Sequence, residues 1–416
     1  MIYSKPVLAW LRRLVGAHAS ENGNVAIVFA LATPVLVGAG GLGVETSYDY
    51  YQQVHLQAAA DAAAYAAALE NRAASSVSVM NAAALQAASL NGWSSTTGSL
   101  TMNSPPASGS HSTPTAVEVL LSQTEPRFFS AYFSSTPLVA RARAVAVYQT
   151  AANACILALN KTAGSAVQVQ GSSSLTLTNC DVMSNSVAND AVKVWGAANL
   201  TTDCVVSAGG VASNGGLTLT GCNSAVSQAP RARDPFAGLP VPSPGVNRNV
   251  PNGHGTINLS PGNYANGMSL SGNVVMAPGV YYVSGGPFSV NANATVSGSG
   301  VTIYLQTGSQ VSMNGNASVS LSAPTSGTYS GILFFGDPSA TSGLNTFNGD
   351  GSSSLTGDLY FPTQSVAYNG NFSGANGCMQ IVADTVTWTG NATVSVNCSA
   401  YGMNAIPARQ AVKMVE

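Results

Sequence analysis

Apolar and polar positions divide the chain into three regimes. Val25 to Val44, VAIVFALATPVLVGAGGLGV, is twenty residues without a charge, the length a helix needs to cross about 30 Å of hydrocarbon. It predicts a transmembrane helix over 23–44, in which Pro34 and the glycines from Gly38 are tolerated. Beyond it, Tyr51, Val54, Ala58, Ala62, Tyr65 and Leu69 recur at spacings of three or four, a helical stripe of larger side chains among alanines. Nine of the eleven residues from Ala58 to Ala68 are alanine, the best helix former but one with little apolar area of its own. Such a helix needs a close, flat neighbour, and the stripe is the face expected to meet a partner. Thr115 to Tyr148 supplies a sheet. Val117, Val119 and Leu121 alternate with Glu118 and Leu120, and Ala142 and Ala144 with Arg141 and Arg143, with a short aromatic helix after Pro126. From Cys155 onward the chain is a series of short β-prone runs separated by Gly, Asn and Ser, with an N-A-[ST]-V-S unit at Asn293, Asn316 and Asn391. Irregular repeats of about 20 to 25 residues predict a β-solenoid or parallel β-helix, each coil burying its apolar face on its neighbours. A β-sandwich is the alternative fold.

Only 7% of residues are charged, against about 25% in ordinary globular proteins. The net charge is −2 with no basic cluster beyond the first residues, so nucleic-acid binding is set aside. Six cysteines, Cys155, Cys180, Cys204, Cys222, Cys378 and Cys398, form no C-x-x-C pair, which suits disulfides in an oxidising compartment. Their successive spacings of 25, 18 and 20 residues are each about one coil. Equivalent positions on adjacent coils lie about 4.8 Å apart, within reach of a disulfide. Three sequential bridges are therefore expected, each contributing about 3 kcal/mol in the chain-entropy account. Lys5, Arg12 and Arg13 outnumber Glu21 ahead of the apolar run, and Glu45 and Asp49 follow it. The positive-inside bias then leaves residues 1–22 in the cytoplasm and sends the bulk of the chain to the periplasm or beyond. The competing assignment is a cleaved signal peptide.

Glu21 to Ala68, ENGNVAIVFALATPVLVGAGGLGVETSYDYYQQVHLQAAADAAAYAAA, resembles the N-terminal region of TadE/TadG-like proteins of the bacterial tight-adherence (Flp) pilus system. The G-N-x-A start, the apolar span, the acidic residue with aromatics and AADAAAYAAA carry the resemblance. The V-x-V strand, the P-x-x-F segment and the A-x-A-x-A strand extend it to about residues 20–150. The resemblance implies a single-pass inner-membrane structural or assembly component that binds other envelope and pilus-assembly proteins, with no catalysis and no cofactor. Pseudopilins of that system carry a glutamate at the fifth mature position. Counted from Asn24 after Gly23, the fifth residue here is Val28, which fits the uncleaved, TadG-like branch. Some TadG-like proteins also carry a D-x-S-x-S metal motif, whose letters Asp350, Ser352 and Ser354 match. The surrounding sequence reads as a glycine-rich turn before a strand, and no metal is expected there.

The expected organisation is a cytoplasmic segment 1–22, a transmembrane helix 23–44, a helix-plus-sheet module 45–150, a first β lobe 153–227, a Pro-rich connector 228–262, a second β lobe 263–400 and a tail 401–416. The connector, with Arg231 and Arg233 beside Asp234, reads as a solvated linker. Polysaccharide-active β-helices need paired carboxylates or a base with a charge-stabilising cation. Between Cys155 and Cys398 stand Asp181, Asp190, Asp203, Asp234, Asp337, Asp350, Asp358 and Asp384, no glutamate, Lys161, Lys193 and His254. Asp181, Asp190 and Lys193 are the set that adjacent coils would bring together, but the acids are scattered, and no enzyme is expected. Thr176, Thr178, Thr218 and Thr220, in two LTLT runs, would form a flat face for glycan contact in a secreted or surface adhesin, the alternative function. Threonine is β-prone in its own right, so that pattern by itself identifies no ligand.

Overall fold

The computed structural model describes residues 23–214, 216–253, 255–371, 378–395 and 398–416. The expectations resting on 1–22, among them the charges of Lys5, Arg12, Arg13 and Glu21, and on His254, lie outside the described residues. Two compact units are present among the described residues: 23–71 with Ser75–Val147 and Lys413–Glu416, and Arg72–Ala74 with Tyr148–Val412.

The first unit is built on α1 (Gly23–Arg72), one helix of 50 residues with Pro34 inside it. Its N-terminal half is long and apolar enough to cross a membrane, and Val25, Ile27, Val28, Phe29, Leu31, Val35 and Leu36 are between 61% and 72% exposed. A helix that presents apolar side chains on every side is stable only in an apolar surround. A second helix, α2 (Val77–Leu90), buries Met80, Ala84 and Ala88. An antiparallel sheet follows, in the order β1 (Gly98–Asn103), β2 (Ala116–Glu125) and β3 (Leu138–Ala158), with a 3-10 turn at Ser130–Tyr132 after Pro126. Helix α2 and strand β1 extend the pattern of two strands and one aromatic turn legible in the sequence. Trp93 fixes their junction, its indole N–H donating to Ser122 O at 3.1 Å. The polar face of β2 is not solvated as alternation alone would have it. Glu118 is buried, accepting from Asn103 Nδ2 at 2.7 Å, Arg143 Nε at 2.7 Å and Ala107 N at 3.1 Å. Burial raises its carboxyl pKa, but those donors outweigh burial and hold it below the ordinary value.

The second unit is a β-solenoid rather than a sandwich. Parallel strands stack into sheets on successive faces of each coil, and one of these sheets has nine strands among the described residues. In-register ladders explain the stacking. Val169, Val194 and Trp388 align on one face, Leu175, Leu200 and Leu217 on another, and Tyr368 stacks on Trp388 with centroids 3.9 Å apart. Tyr264, Tyr281, Phe288, Phe334, Phe347, Phe361 and Trp388 are fully buried between the faces. The N-A-[ST]-V-S units open strands Thr295–Ser299, Ser318–Ser322 and Ala392–Ser395, the first two directly paired at Thr295 and Ser318.

The coil order corrects the two-lobe expectation. Strand pairing runs from Val205–Ser207 through Asp181–Ser184 and the end of β3 to Met379–Ala383, then through Ser354–Phe361, Ile332–Gly336, Val301–Leu305 and Gly279–Val283 to Gly262–Tyr264. The chain thus enters mid-stack, winds to one end, crosses to the far end and winds back until Ile381 pairs with Ile156. The expected lobes 153–227 and 263–400 form one stack, because pairing between coils is non-local and leaves no mark in chain order. The connector is correspondingly a docked strap, not a solvated linker. Arg231 Nε donates to Asn185 O at 3.0 Å, Asn185 Nδ2 to Ala232 O at 2.9 Å, Tyr360 OH to Asp234 Oδ2 at 2.9 Å, Tyr329 OH to Pro240 O at 3.0 Å, and Asn263 N to Val246 O at 2.8 Å. Phe236, 6% exposed, sets its ring 5.1 Å from Tyr360. The tail is likewise corrected to a strand, Ile406–Met414, in which Ile406 and Ala408 point inward and Pro407 and Arg409 alternate with them.

Disulfides join Cys155 to Cys180 and Cys204 to Cys222, with Cα separations of 5.7 and 5.4 Å. Ladder register shifts between Ala154 and Ile156, which frees Cys155 from strict pairing to face the next coil. The third expected pair, Cys378 and Cys398, is also brought together: both side chains are buried, packed with Met403 and Tyr401 and interacting with each other. Burial, then the Cys378 neighbour, raises the Cys398 pKa. Because the thiolate is the nucleophile, iodoacetamide should label Cys398 at least about tenfold more slowly in the native protein than in the urea-unfolded chain. Equal rates by peptide mass mapping would show that this corner is open to solvent.

Candidate functional site

The alanine helix faces its own unit with its smallest side chains. Leu56, Ala59, Ala60, Ala63, Ala64, Ala67 and Ala68 are at most 4% exposed. Their lack of bulk lets side-chain amides reach the sheet: Gln53 Nε2 donates to Arg141 O at 2.7 Å and Gln57 Nε2 to Arg143 O at 2.9 Å, both on β3. Asn71 Nδ2 donates to Pro114 O at 3.0 Å near the helix end.

The stripe of larger residues lies on the other side. Tyr51 is 57%, Val54 50% and Tyr65 43% exposed; Ala58 is exposed and Ala62 and Leu69 are half-buried. Within the unit the small residues pack, and the larger ones of the stripe expected to meet a partner are left uncovered. The Tyr51 ring rests 4.2 Å from His55 on the same outer face. This is an apolar row on a rigid helix, directly continuous with the membrane-length segment.

At the junction sits Glu45, the first charge after the apolar run and itself buried. Its carboxylate accepts Phe128 N at 3.1 Å, Ser130 N at 2.6 Å and Ser130 Oγ at 2.5 Å. The Ser130 hydroxyl bond leads the effects that hold the Glu45 carboxyl below its ordinary pKa. Glu45 thereby fixes the aromatic segment after Pro126 to the helix. The sequence singled out the acidic residue with aromatics but not this partner, 85 residues away.

The solenoid candidates separate. Asp181 is fully buried and pairs with Arg409, Nε to Oδ2 at 2.7 Å. Asp190 pairs with Lys193 at 3.8 Å on the next face, so the trio considered for catalysis does not converge. Other acids tie turns and coils: Asp337 accepts Thr307 Oγ1 and Ser339 Oγ, each at 2.7 Å, Asp203 accepts Thr220 Oγ1 at 2.8 Å, and Asp384 accepts Asn160 Nδ2 at 3.0 Å. Asp350 binds Ser352 N at 3.0 Å and the Ser352 hydroxyl at 2.7 Å, so the D-x-S-x-S letters close a turn before strand Ser354–Phe361. Asp358 is fully buried, with Gln380 donating to its Oδ1 at 3.0 Å, and burial pushes its pKa well above the ordinary carboxylate range. The LTLT runs do align. Thr176, Thr201 and Thr218 form one in-register row, while Thr178 and Thr220 are exposed.

Residues 23–74 match a family described as putative Flp pilus-assembly TadE/G-like. The match covers α1 and the turn after it. No curated protein and no solved structure matches the chain. A TadE/G-like domain joined to an N-terminal apolar helix fits a membrane-anchored component of the Tad pilus system.

Proposed function

We propose that this protein is a structural or assembly component of a Tad (Flp) type pilus or related envelope machine, acting by protein–protein contact without catalysis or cofactor. Residues 1–22 stay in the cytoplasm, residues 23–44 anchor the chain in the inner membrane, and the rest stands in the periplasm, where disulfides form. The observation that carries this reading is the division of labour on α1: the alanine face is consumed by its own sheet, and the row Tyr51, Val54, Ala58 and Tyr65 is left bare beside the membrane segment. Bare apolar rows at helical spacing are the anchors by which helices dock on partners. The solenoid contributes a long polar surface of stacked coils.

Photo-crosslinking in living cells tests it. Benzoylphenylalanine at Tyr51, Val54 or Tyr65 should give adducts with another pilus-assembly protein, whereas Val77, 65% exposed on α2, should give none. Adducts absent from all three helix sites would remove the partner surface. Carbonate extraction of the same membranes checks the anchor: a soluble chain beginning near Glu45 would identify a cleaved signal and turn the reading toward a secreted solenoid that binds glycan through the threonine rows.

A further inference from the structure

The segment after Pro126 puts four aromatic side chains into the open. Phe128 is 52%, Phe129 48%, Tyr132 90% and Phe133 78% exposed. Exposed rings in such density are unusual on a surface that faces water. Their position along α1 is fixed by three contacts. The Phe129 ring fills the space beside Gly41, where a Cβ would meet its Cδ1 at 2.5 Å. Phe128 lies edge-on to Tyr48 at 5.2 Å. Glu45 holds Phe128 and Ser130 by their backbone N–H groups.

Gly41 precedes Val44, the end of the uncharged run, by three residues, which at 1.5 Å per residue is about 5 Å inside the apolar span. Phe129 therefore touches the helix at a level that belongs to hydrocarbon, and Phe128 touches it just above. Tyr50, 72% exposed, adds another aromatic ring at the same exit. Aromatic side chains at the boundary between hydrocarbon and headgroups are the usual interfacial anchors of membrane proteins. A water-facing protein partner would have to cover these rings at a depth the lipid already occupies.

We propose that residues 126–135 are a membrane foot. Phe128, Phe129, Tyr132 and Phe133 seat in the headgroup and upper acyl region of the leaflet from which α1 emerges, and Glu45 locks the foot to the helix. The foot would set the tilt and rotation of the rod and hold the sheet of the first unit against the membrane. This inference rests on the reading of Val25–Val44 as a retained anchor, and the test separates the two.

The full-length chain, carrying benzoylphenylalanine at Tyr132 or Phe133, is reconstituted into vesicles of phosphatidylethanolamine and phosphatidylglycerol, irradiated and weighed intact. Leu36 inside the span is the positive control, and Val77, near the far end of α1, the negative one. Adducts of phospholipid mass at Tyr132 and Phe133, roughly fivefold or more above Val77, are expected from rings seated at the interface. Lipid adducts at Leu36 with only background at Tyr132 and Phe133 would overturn the foot and leave the anchor standing. No lipid adduct at Leu36 would overturn the anchor, and the foot with it. In cell membranes, protein-mass adducts at Tyr132 and Phe133 without lipid adducts would likewise replace the bilayer by a protein partner and refute the proposal.

Discussion

Replacing Ala60 and Ala64 together by leucine should release α1 from the rest of its unit. Both alanines are 0% exposed, one turn apart on the packed face. Each added isobutyl group has no void to enter, and overpacking of this kind costs about 1–3 kcal/mol per site. The pair would therefore remove about 2–6 kcal/mol from a unit whose total stability is of the order of 5–15 kcal/mol. Amide protection in β1, β2 and the first half of β3 should fall steeply in hydrogen exchange, with the ladders around Trp388 unaffected. The contrasting pair, Ala58→Leu with Ala62→Leu, lies on the outer face, exposed or half-buried. It should change stability by no more than about 0.5 kcal/mol. Greater damage from the outer pair would mean that the helix packs with its other face.

That contrast also marks where the sequence could be read. Helical periodicity located α1 and marked Tyr51, Val54 and Tyr65 as the face to meet a partner, but it did not say which face the helix gives to its own sheet. Here the sheet takes the alanines, since only a face without bulk lets Gln53 and Gln57 reach the β3 carbonyls. The apolar span, the two alternating strands and the repeat of the solenoid were legible because each is a local pattern. The merging of the two β lobes was not, because it depends on Ile381 finding Ile156 across more than half the chain. The docked strap follows from the same fact: a chain that must cross from one end of the stack to the other runs along it, and Arg231, Asp234 and Pro240 each find a partner on the way. The clamp from Glu45 to Ser130 is legible only once α1 and the aromatic turn are seen side by side. The alternation of IPARQAV marks the final strand, although its place at the end of the chain suggests a tail.

Asp181, considered for catalysis on sequence grounds, has a structural role whose removal should have a large and pH-dependent effect. Its carboxylate is fully buried and held by Arg409, Nε to Oδ2 at 2.7 Å and Nη2 to Oδ1 at 3.4 Å, which ties the C-terminal strand to a coil. Burial raises the Asp181 pKa, and Arg409 opposes that rise. Arg409→Met leaves the acid buried without its cation, a change that typically costs about 3–5 kcal/mol. The sign with pH follows from the direction of the shift. A carboxyl whose folded pKa lies above its unfolded value of about 3.9 stabilises the fold below that value, and the contribution is lost as pH rises through the folded pKa. Without Arg409 the folded pKa rises further, so the variant should suffer most at pH 7 to 8 and approach the parent as the acid is protonated toward pH 4. Thermal unfolding at those pH values should show the gap narrowing by about 2 kcal/mol or more. Asp181→Asn combined with Arg409→Met should recover most of the loss at neutral pH, because no charge is then left in the interior. An Arg409→Met deficit equal at both pH values would show that the strand is held by packing of Ile406 and Ala408 and not by the ion pair.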